Sequence, residues 1–139
     1  MRTKNTWESI LIWFKISKIH NENIISSNRI LKEYGLTLAQ FDVIAQIGIE
    51  KELTQSELTI KLLVTKANIS QLLSLMEGKG LIKRRQEWKT KFVSLTEEGM
   101  RIYDQVVPLM EQFQTQTFSR LTDEERTLFL NLLRKIEKS

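Results

Sequence analysis

The chain has 139 residues, 41% hydrophobic and 27% charged, a composition that can fill the core of one small domain and give it a polar surface. It has no cysteine and one histidine, which excludes disulfides and thiolate metal sites and disfavours a Ser-His-Asp hydrolase or a transition-metal sensor. No apolar run approaches the roughly 18 residues that a membrane span needs, so we expect a cytoplasmic protein without membrane contact.

A long helix begins the predicted architecture. Apolar spacing predicts it over residues 7–34, with a break near residues 21–23 left open. Gly35 is suited to end it, because glycine readily adopts the left-handed conformation. Trp13 lies off the main apolar stripe, which suggests that the helix packs both within its own subunit and against another. The alternative is a core helix with one stray aromatic. The main stripe is Trp7, Ile10, Leu11 and Phe14.

Capping residues mark the next three helix starts. Residues 37–40 have the spacing of a capping box and begin a helix through about Gly48. Residues 54–57 repeat that spacing, and Thr65 is a third N-cap. The predicted buried positions are Leu38, Phe41, Ile44, Ala45 and Ile47, then Leu58, Leu62 and Leu63, then Ile69, Leu72, Leu73 and Met76.

A basic hairpin follows the third of these helices. Gly80 is placed to end that helix, and the apolar residues 81–82 and 92–95 flank a polar, basic turn. Helix, tight turn, helix and basic hairpin form the outline of a winged helix-turn-helix, whose second helix can enter the major groove of DNA.

The positive charge is concentrated in this same stretch. Residues 54–95 contain eight lysines or arginines against three acids, a net charge of +5, and the rest of the chain sums to −1. Such segregation is the electrostatic pattern of a phosphate-binding surface. A charge run can also be an ordinary solvated face, but the coincidence with a helix-turn-helix pattern favours the first interpretation.

Three motifs carry a family resemblance. They are L-T-x-x-E-L over residues 53–58, T-x-x-N-I-S-x-L-L-x-x-M-E-x-x-G-L-I-x-R over 65–84 and V-S-L-T-E-E-G over 93–99. In this order and spacing they resemble the MarR family of bacterial transcription regulators. The resemblance implies a homodimer that binds double-stranded, pseudo-palindromic operator DNA, usually as a repressor, and that is often released by a small, commonly aromatic molecule.

The resulting fold class is mainly α with a small β-wing. We predict one domain over residues 1–139, in which residues 36–96 form a winged-helix DNA-binding lobe. Residues 1–35 and 97–139 would form a helical dimerisation region, because their large apolar side chains exceed what the small lobe can cover. The resemblance also implies a short strand near Leu53 that joins the wing sheet.

The start of the predicted recognition helix supplies the candidate base contacts. If the apolar stripe faces the core, small and polar side chains face outward, where asparagine and glutamine can bind adenine and lysine can bind guanine. The amides near the helix start would suit a phosphate. A plain solvated helix face is the alternative. The candidate residues are Thr65, Lys66, Ala67, Asn68, Ser70 and Gln71.

The wing departs from the family pattern. The resemblance implies an Asp-x-Arg sequence whose arginine enters the minor groove, and here Glu87, Trp88 and Lys89 stand at those positions. Lysine lacks the planar fork of arginine and is less suited to a narrow groove. We predict DNA contacts by Arg84, Arg85, Lys89 and Lys91, with one arginine pairing with an acid as the alternative. For Trp88, packing against protein is favoured over stacking on a sugar.

Two helices complete the chain. Thr96 caps the first, in which Met100, Tyr103, Val107, Met110 and Phe113 share one side, and Pro108 either bends or ends it. Residues 122–125 form a capping box for the last helix, with Lys135 and Lys138 near its end. The resemblance implies an effector pocket, for which the candidates are Phe14, Phe41, Tyr103 and Val107; plain core packing is the alternative.

The sequence does not predict an enzyme. It has no Gly-rich phosphate loop, no metal-ligand spacing and no nucleophile beside a base, so we expect no catalytic residue, metal or cofactor. The leading hypothesis is a dimeric, sequence-specific DNA-binding regulator. The alternative is a winged helix that acts in non-specific DNA or protein binding without an effector.

Overall fold

The computed structural model describes residues 1–62 and 64–137, and within these ranges it is mainly helical with one small antiparallel sheet. The chain forms two compact units, Met1–Val107 and Pro108–Ser139. Leu63 and Lys138, which the sequence predictions include, lie outside the described residues. The elements are α1 (Lys4–Lys32), α2 (Leu38–Glu50), β1 (Glu52–Thr54), α3 (Gln55–Leu62), α4 (Lys66–Gly78), β2 (Ile82–Glu87), β3 (Thr90–Leu95), α5 (Glu97–Thr117) and α6 (Asp123–Ile136).

Helix α1 begins earlier than predicted and has no break. Thr3 caps it by accepting a hydrogen bond from the amide of Thr6 at 3.2 Å. It remains helical through residues 21–23, because interior asparagines cost only a few tenths of a kcal/mol each when their side chains avoid the core. Gly35 ends it as predicted, with φ +70°, and the amide of Leu36 donates to the carbonyl of Leu31 in a Schellman arrangement.

Local capping chemistry explains the starts of α2, α3 and α4. The amide of Gln40 donates to Thr37 Oγ1 at 3.2 Å, and the Gln40 side chain accepts from the amide of Thr37 at 3.1 Å. The second predicted capping box forms in the same way between Thr54 and Glu57. These bonds satisfy amides that the first helical turn leaves unpaired, so a few residues suffice to place each start.

The core of the first unit lies under α4 and the sheet. Of the positions predicted in α3 and α4, Leu58, Ile69, Leu73 and Met76 are fully buried, whereas Leu62 and Leu72 are only partly covered. In α2 the prediction was partly wrong: Ile44 and Ile47 are buried, but Val43 is buried too, and Leu38, Phe41 and Ala45 are only partly covered.

The sheet has the order β1-β3-β2, with both pairs antiparallel. Val93 stands at its centre, opposite Leu53 on one side and Arg84 on the other. The predicted strand near Leu53 is confirmed. The β2–β3 hairpin, which we call the wing, pairs down to Glu87 opposite Thr90, so its turn is the two residues between them.

The first turn of α5 packs closely on the chain that follows α4. Gly80 has φ +76° and ends α4 as predicted, and Gly99 on α5 approaches the backbone of Leu81. This approach decides which side of α5 faces inward. The buried positions are Ile102, Val106 and Met110. Met110 was in the predicted stripe, but Tyr103 and Val107 are only half-buried and Met100 is exposed.

Helix α5 continues through Pro108, so of the two alternatives left open for this proline, the one in which the helix ends there is excluded. Helix α6 begins with the predicted capping box of Thr122 and Glu125. None of its residues is buried, and several large apolar ones are exposed: Leu128, Phe129, Leu130, Leu132 and Ile136. Among the described residues, no helix has the length and apolar character to cross a bilayer.

Candidate nucleic-acid interface

The start of α4 presents the six residues predicted to contact DNA. Ile69, Leu73 and Met76 point into the core, which turns the other side of the helix outward. Of the six predicted residues on that side, five are exposed and Ser70 is half-buried. Thr65 also caps the helix by accepting from the amide of Asn68 at 3.1 Å. We call this surface the recognition face; it consists of Thr65, Lys66, Ala67, Asn68, Ser70 and Gln71.

A groove joins the recognition face to the wing. Its volume is about 580 Å³, and it brings Lys66 and Ser70 of α4 beside Lys89 and Lys91 of the wing. Three of its ten lining residues are lysines and none is acidic, so the groove suits a polyanion. We call it the basic groove. Its lining residues are Thr54, Gln55, Ser56, Thr59, Lys66, Ile69, Ser70, Lys89, Thr90 and Lys91.

Helix α3 also contributes to this groove, which was not predicted from the sequence. Gln55, Ser56 and Thr59 line it, although residues 54–57 were interpreted only as a helix cap. The side-chain oxygen of Gln55 is buried and has no hydrogen-bond partner among the described residues. A hydroxyl- or amide-bearing helix start next to a basic helix is the pattern that could have indicated this wall of the groove.

The guanidinium of Arg84 is hydrogen-bonded within the protein. Its guanidinium donates to Glu77 and to Ser74 Oγ of α4, each at 3.0 Å, and the side chain is only 20% exposed. The hydrogen bond from Arg84 lowers the pKa of Glu77. Arg84 therefore ties strand β2 to the helix that carries the recognition face.

The guanidinium of Arg85 is hydrogen-bonded within the protein as well. It donates to Glu87 at 2.7 Å and to Glu52 at 3.0 Å, and its guanidinium lies 4.2 Å from the centre of the Phe92 ring. The hydrogen bonds to Glu87 and then Glu52 raise the pKa of Arg85. The alternative that one of the two arginines pairs with an acid holds for both of them. The wing cations that line the basic groove are thus Lys89 and Lys91.

Trp88 is at the tip of the wing and is 89% exposed. Packing against its own hairpin, one form of the predicted packing against protein, therefore does not occur. It is the first residue of the two-residue turn and has φ +60°. Its ring therefore stands away from the protein.

The four candidate effector residues have different surroundings. Phe14 on α1 is 63% exposed, and Phe41, Tyr103 and Val107 are half-buried. The ring of Tyr103 lies against Gly48 of α2, where an added Cβ would overlap it. The pocket that these residues would form stays a prediction.

Comparisons with known proteins agree with this geometry. The profile of the MarR family matches residues 34–87, which include α2, α3, α4 and β2. An uncharacterized HTH-type transcriptional regulator of Bacillus cereus is 40% identical over 129 residues, spanning 92% of this chain and 88% of the relative.

Two solved structures share the fold. A mutant of Escherichia coli MarR in complex with operator DNA has a TM-score of 0.85 at 24% identity and covers 94% of this chain and 96% of its own. Bordetella bronchiseptica BpsR, whose DNA binding is regulated by 6-hydroxynicotinic acid, has a TM-score of 0.83 at 19% identity and covers 92% and 99%. With its winged helix and a close relative along nearly its whole length, the chain belongs to the MarR family of transcriptional regulators.

Proposed function

We propose that this regulator is a homodimer that binds a pseudo-palindromic operator in the cytoplasm and represses transcription there. The observation that carries the proposal is the basic groove, because it connects an exposed helix start to a basic wing without an intervening acid. A duplex bound along it would place phosphates near Lys66, Lys89 and Lys91, and the start of α4 would enter the major groove.

Base reading is assigned to the outward side chains of α4. Asn68 and Gln71 are exposed and carry amides that can bind adenine through two hydrogen bonds. Lys66 can reach guanine or phosphate, and Ala67 can contact a thymine methyl group. The amides at the start of α4, beside Thr65 and Ser70, suit a phosphate. Arg84 and Arg85 support the interface indirectly, because their ion pairs hold the wing against α4 and β1.

Selection of bound DNA from a random-sequence library tests this function. We expect a palindromic consensus, because a two-fold dimer presents two recognition helices about one DNA turn apart. Replacing Asn68 or Gln71 by alanine should lower discrimination at the base it reads by about 1–3 kcal/mol. An unchanged consensus in both variants would exclude them as base readers. Binding without any enriched sequence, but with steep salt dependence, would instead favour the non-specific winged helix.

The dimer is proposed to form through residues 1–35 and 97–139, with residues 36–96 as the DNA lobe. The first of these segments exposes large apolar side chains that water disfavours and a second copy of the chain could cover: Trp7, Leu11, Ile12, Trp13 and Phe14. The second segment contributes the exposed apolar residues of α6.

Replacing Leu11 by alanine tests the dimer. The side chain is 56% exposed, and its removal from a two-fold interface acts twice, so we expect dimerisation to weaken about ten- to thirtyfold. Sedimentation equilibrium measures the change. Ile49→Ala is the matched control, because Ile49 is 67% exposed at the end of α2, outside both segments. Equal dissociation constants for wild type and Leu11→Ala would remove this part of α1 from the interface.

A small aromatic effector is the last part of the proposal. BpsR supports it, since a small aromatic acid regulates DNA binding in that protein. A ligand that prefers a lobe spacing unsuited to DNA would release the operator, and Phe14, Phe41, Tyr103 and Val107 are the candidates to contact it. Titrating the selected operator duplex with the protein, in the presence and absence of hydroxylated aromatic acids, tests this step.

A further inference from the structure

Trp88 has a different setting from the other two tryptophans. Trp7 and Trp13 are exposed on α1 among further apolar side chains, a surface suited to a protein partner. Trp88 is 89% exposed, and the residues after it are Lys89, Thr90 and Lys91. An isolated indole on a polar, basic tip lacks the surrounding apolar area that a protein interface would use.

The backbone holds this indole outward. Of the two turn residues, only Trp88 has a positive φ, a conformation that glycine and asparagine adopt more readily than other residues. A bulky residue is unfavourable there, yet the turn is firmly built. Strand pairing continues to Glu87 and Thr90, and the side-chain amide of Gln86 donates to the carbonyl of Trp88 at 3.1 Å. The ring is thus presented from a rigid support, and little entropy is lost when it makes a contact.

The charges around the tip favour DNA as that contact. Glu87 directly precedes Trp88 and would repel phosphate, but Arg85 forms an ion pair with it at 2.7 Å. Lys89 and Lys91 line the basic groove. Along a duplex held by such cations, the apolar C–H faces of the deoxyriboses alternate with the phosphates. An indole is large enough to cover one sugar and does not depend on which base is attached.

We propose that Trp88 is an apolar DNA contact, which packs on the deoxyribose wall of the duplex while Lys89 and Lys91 bind the adjacent phosphates. This inference rests on the proposed function and deepens it: the wing of this chain would combine a sequence-tolerant apolar contact with charge. The contact should strengthen binding to the operator and to unrelated duplexes alike.

Replacing Trp88 by asparagine tests the inference. Asparagine tolerates positive φ, so the ring is removed while the turn is kept, and the melting temperature should equal or exceed that of wild type. We expect affinity to fall about tenfold for each lobe, equally for the operator duplex recovered by selection and for an unrelated duplex of the same length. The slope of log affinity against log salt should not change, because no charge is lost.

Trp88→Phe is the matched variant, since it keeps an aromatic ring and should stay within about threefold of wild type. It also isolates the fluorescence of Trp88, as the difference between wild type and variant. Acrylamide quenching of that difference signal should decrease when duplex is added. Equal affinities of wild type and Trp88→Asn, or quenching unaffected by DNA, would overturn the inference. Weaker dimerisation of Trp88→Asn without a DNA effect on quenching would also overturn it, in favour of a partner-subunit contact.

These experiments distinguish the role of Trp88 from DNA binding by the protein as a whole. If wild type binds duplex DNA and Trp88→Asn binds equally well, only the role of Trp88 is lost. If wild type binds no duplex at any salt concentration, the proposed function itself is wrong.

Discussion

Replacing Gly99 by alanine should destabilise the first unit by about 3 kcal/mol or more, measured by urea denaturation. Gly99 is helical, so helix propensity alone would favour alanine by up to about 1 kcal/mol. The added Cβ, however, would overlap the carbonyl oxygen of Leu81 and lie 3.1 Å from its carbonyl carbon. This steric clash should outweigh the gain in helix propensity and lower the stability, because the atom that the new Cβ meets belongs to the backbone.

The backbone at Leu81 has little freedom to move away. Its amide donates to Met76 and its carbonyl accepts from the amide of Thr96, both at 3.1 Å. The Thr96 hydroxyl also donates to the carbonyl of Gly80 at 2.6 Å. Relieving the clash would break hydrogen bonds that join the end of α4 to the start of α5.

Gly78→Ala is the matched control for this prediction. Gly78 is the last residue of α4, and nothing lies within 4 Å of the Cβ that alanine would add. That variant should be as stable as wild type or slightly more stable. The stability of Gly48→Ala should lie between those of Gly99→Ala and Gly78→Ala. Its new Cβ would meet the half-buried ring of Tyr103, and a side chain can move more easily than backbone. A Gly99→Ala protein as stable as Gly78→Ala would show that the α4–α5 junction is not tightly packed.

The second large effect is expected from the lysines of the basic groove. Replacing Lys66, Lys89 and Lys91 together by glutamine should reduce the salt slope of DNA binding by up to about 2.7 for each lobe. Near 0.1 M salt this corresponds to a loss of two to three orders of magnitude in affinity per lobe. Fluorescence anisotropy of labelled duplexes, titrated at several salt concentrations, measures both. All three side chains are exposed, so the melting temperature should change little.

A second triple variant with the same change in net charge distinguishes the effect of the groove lysines from the effect of the overall charge of the protein. Lys51, Lys61 and Lys83 are exposed, do not line the groove and lie outside the proposed dimerisation region, and they can be replaced by glutamine in the same way. We expect this control to keep most of the wild-type slope, since salt dependence follows the number of phosphates that bound cations neutralise and these lysines do not line the groove. Equal slopes in the two triple variants would mean that the groove is not where phosphates bind.

The parts of the fold that the sequence predicted well depend on short-range chemistry. The helix starts after Thr37, Thr54 and Thr65 follow from hydrogen bonds between residues three apart. Gly35 and Gly80 end helices because their backbones have positive φ, which glycine adopts without strain. Such features need no knowledge of the rest of the chain.

The errors came from contacts between distant segments. Two of the three buried positions of α5 were placed one residue off, at Tyr103 and Val107 instead of Ile102 and Val106. The reason is that the approach of Gly99 to Leu81 sets the rotation of the helix, and these two residues are 18 positions apart in the sequence.

By itself, the sequence determined the kind of protein: capped helices, a basic hairpin and a segregation of charge predict a winged helix, and three motifs in order resemble the MarR family. Only the tertiary structure decided which cations face the groove. Arg85 meets Glu52, 33 residues away, while Lys66 comes beside Lys89 and Lys91. Sheet register and helix packing determine these distances, and neither is encoded by the residues adjacent to the charges, so composition could count the cations but not assign their partners.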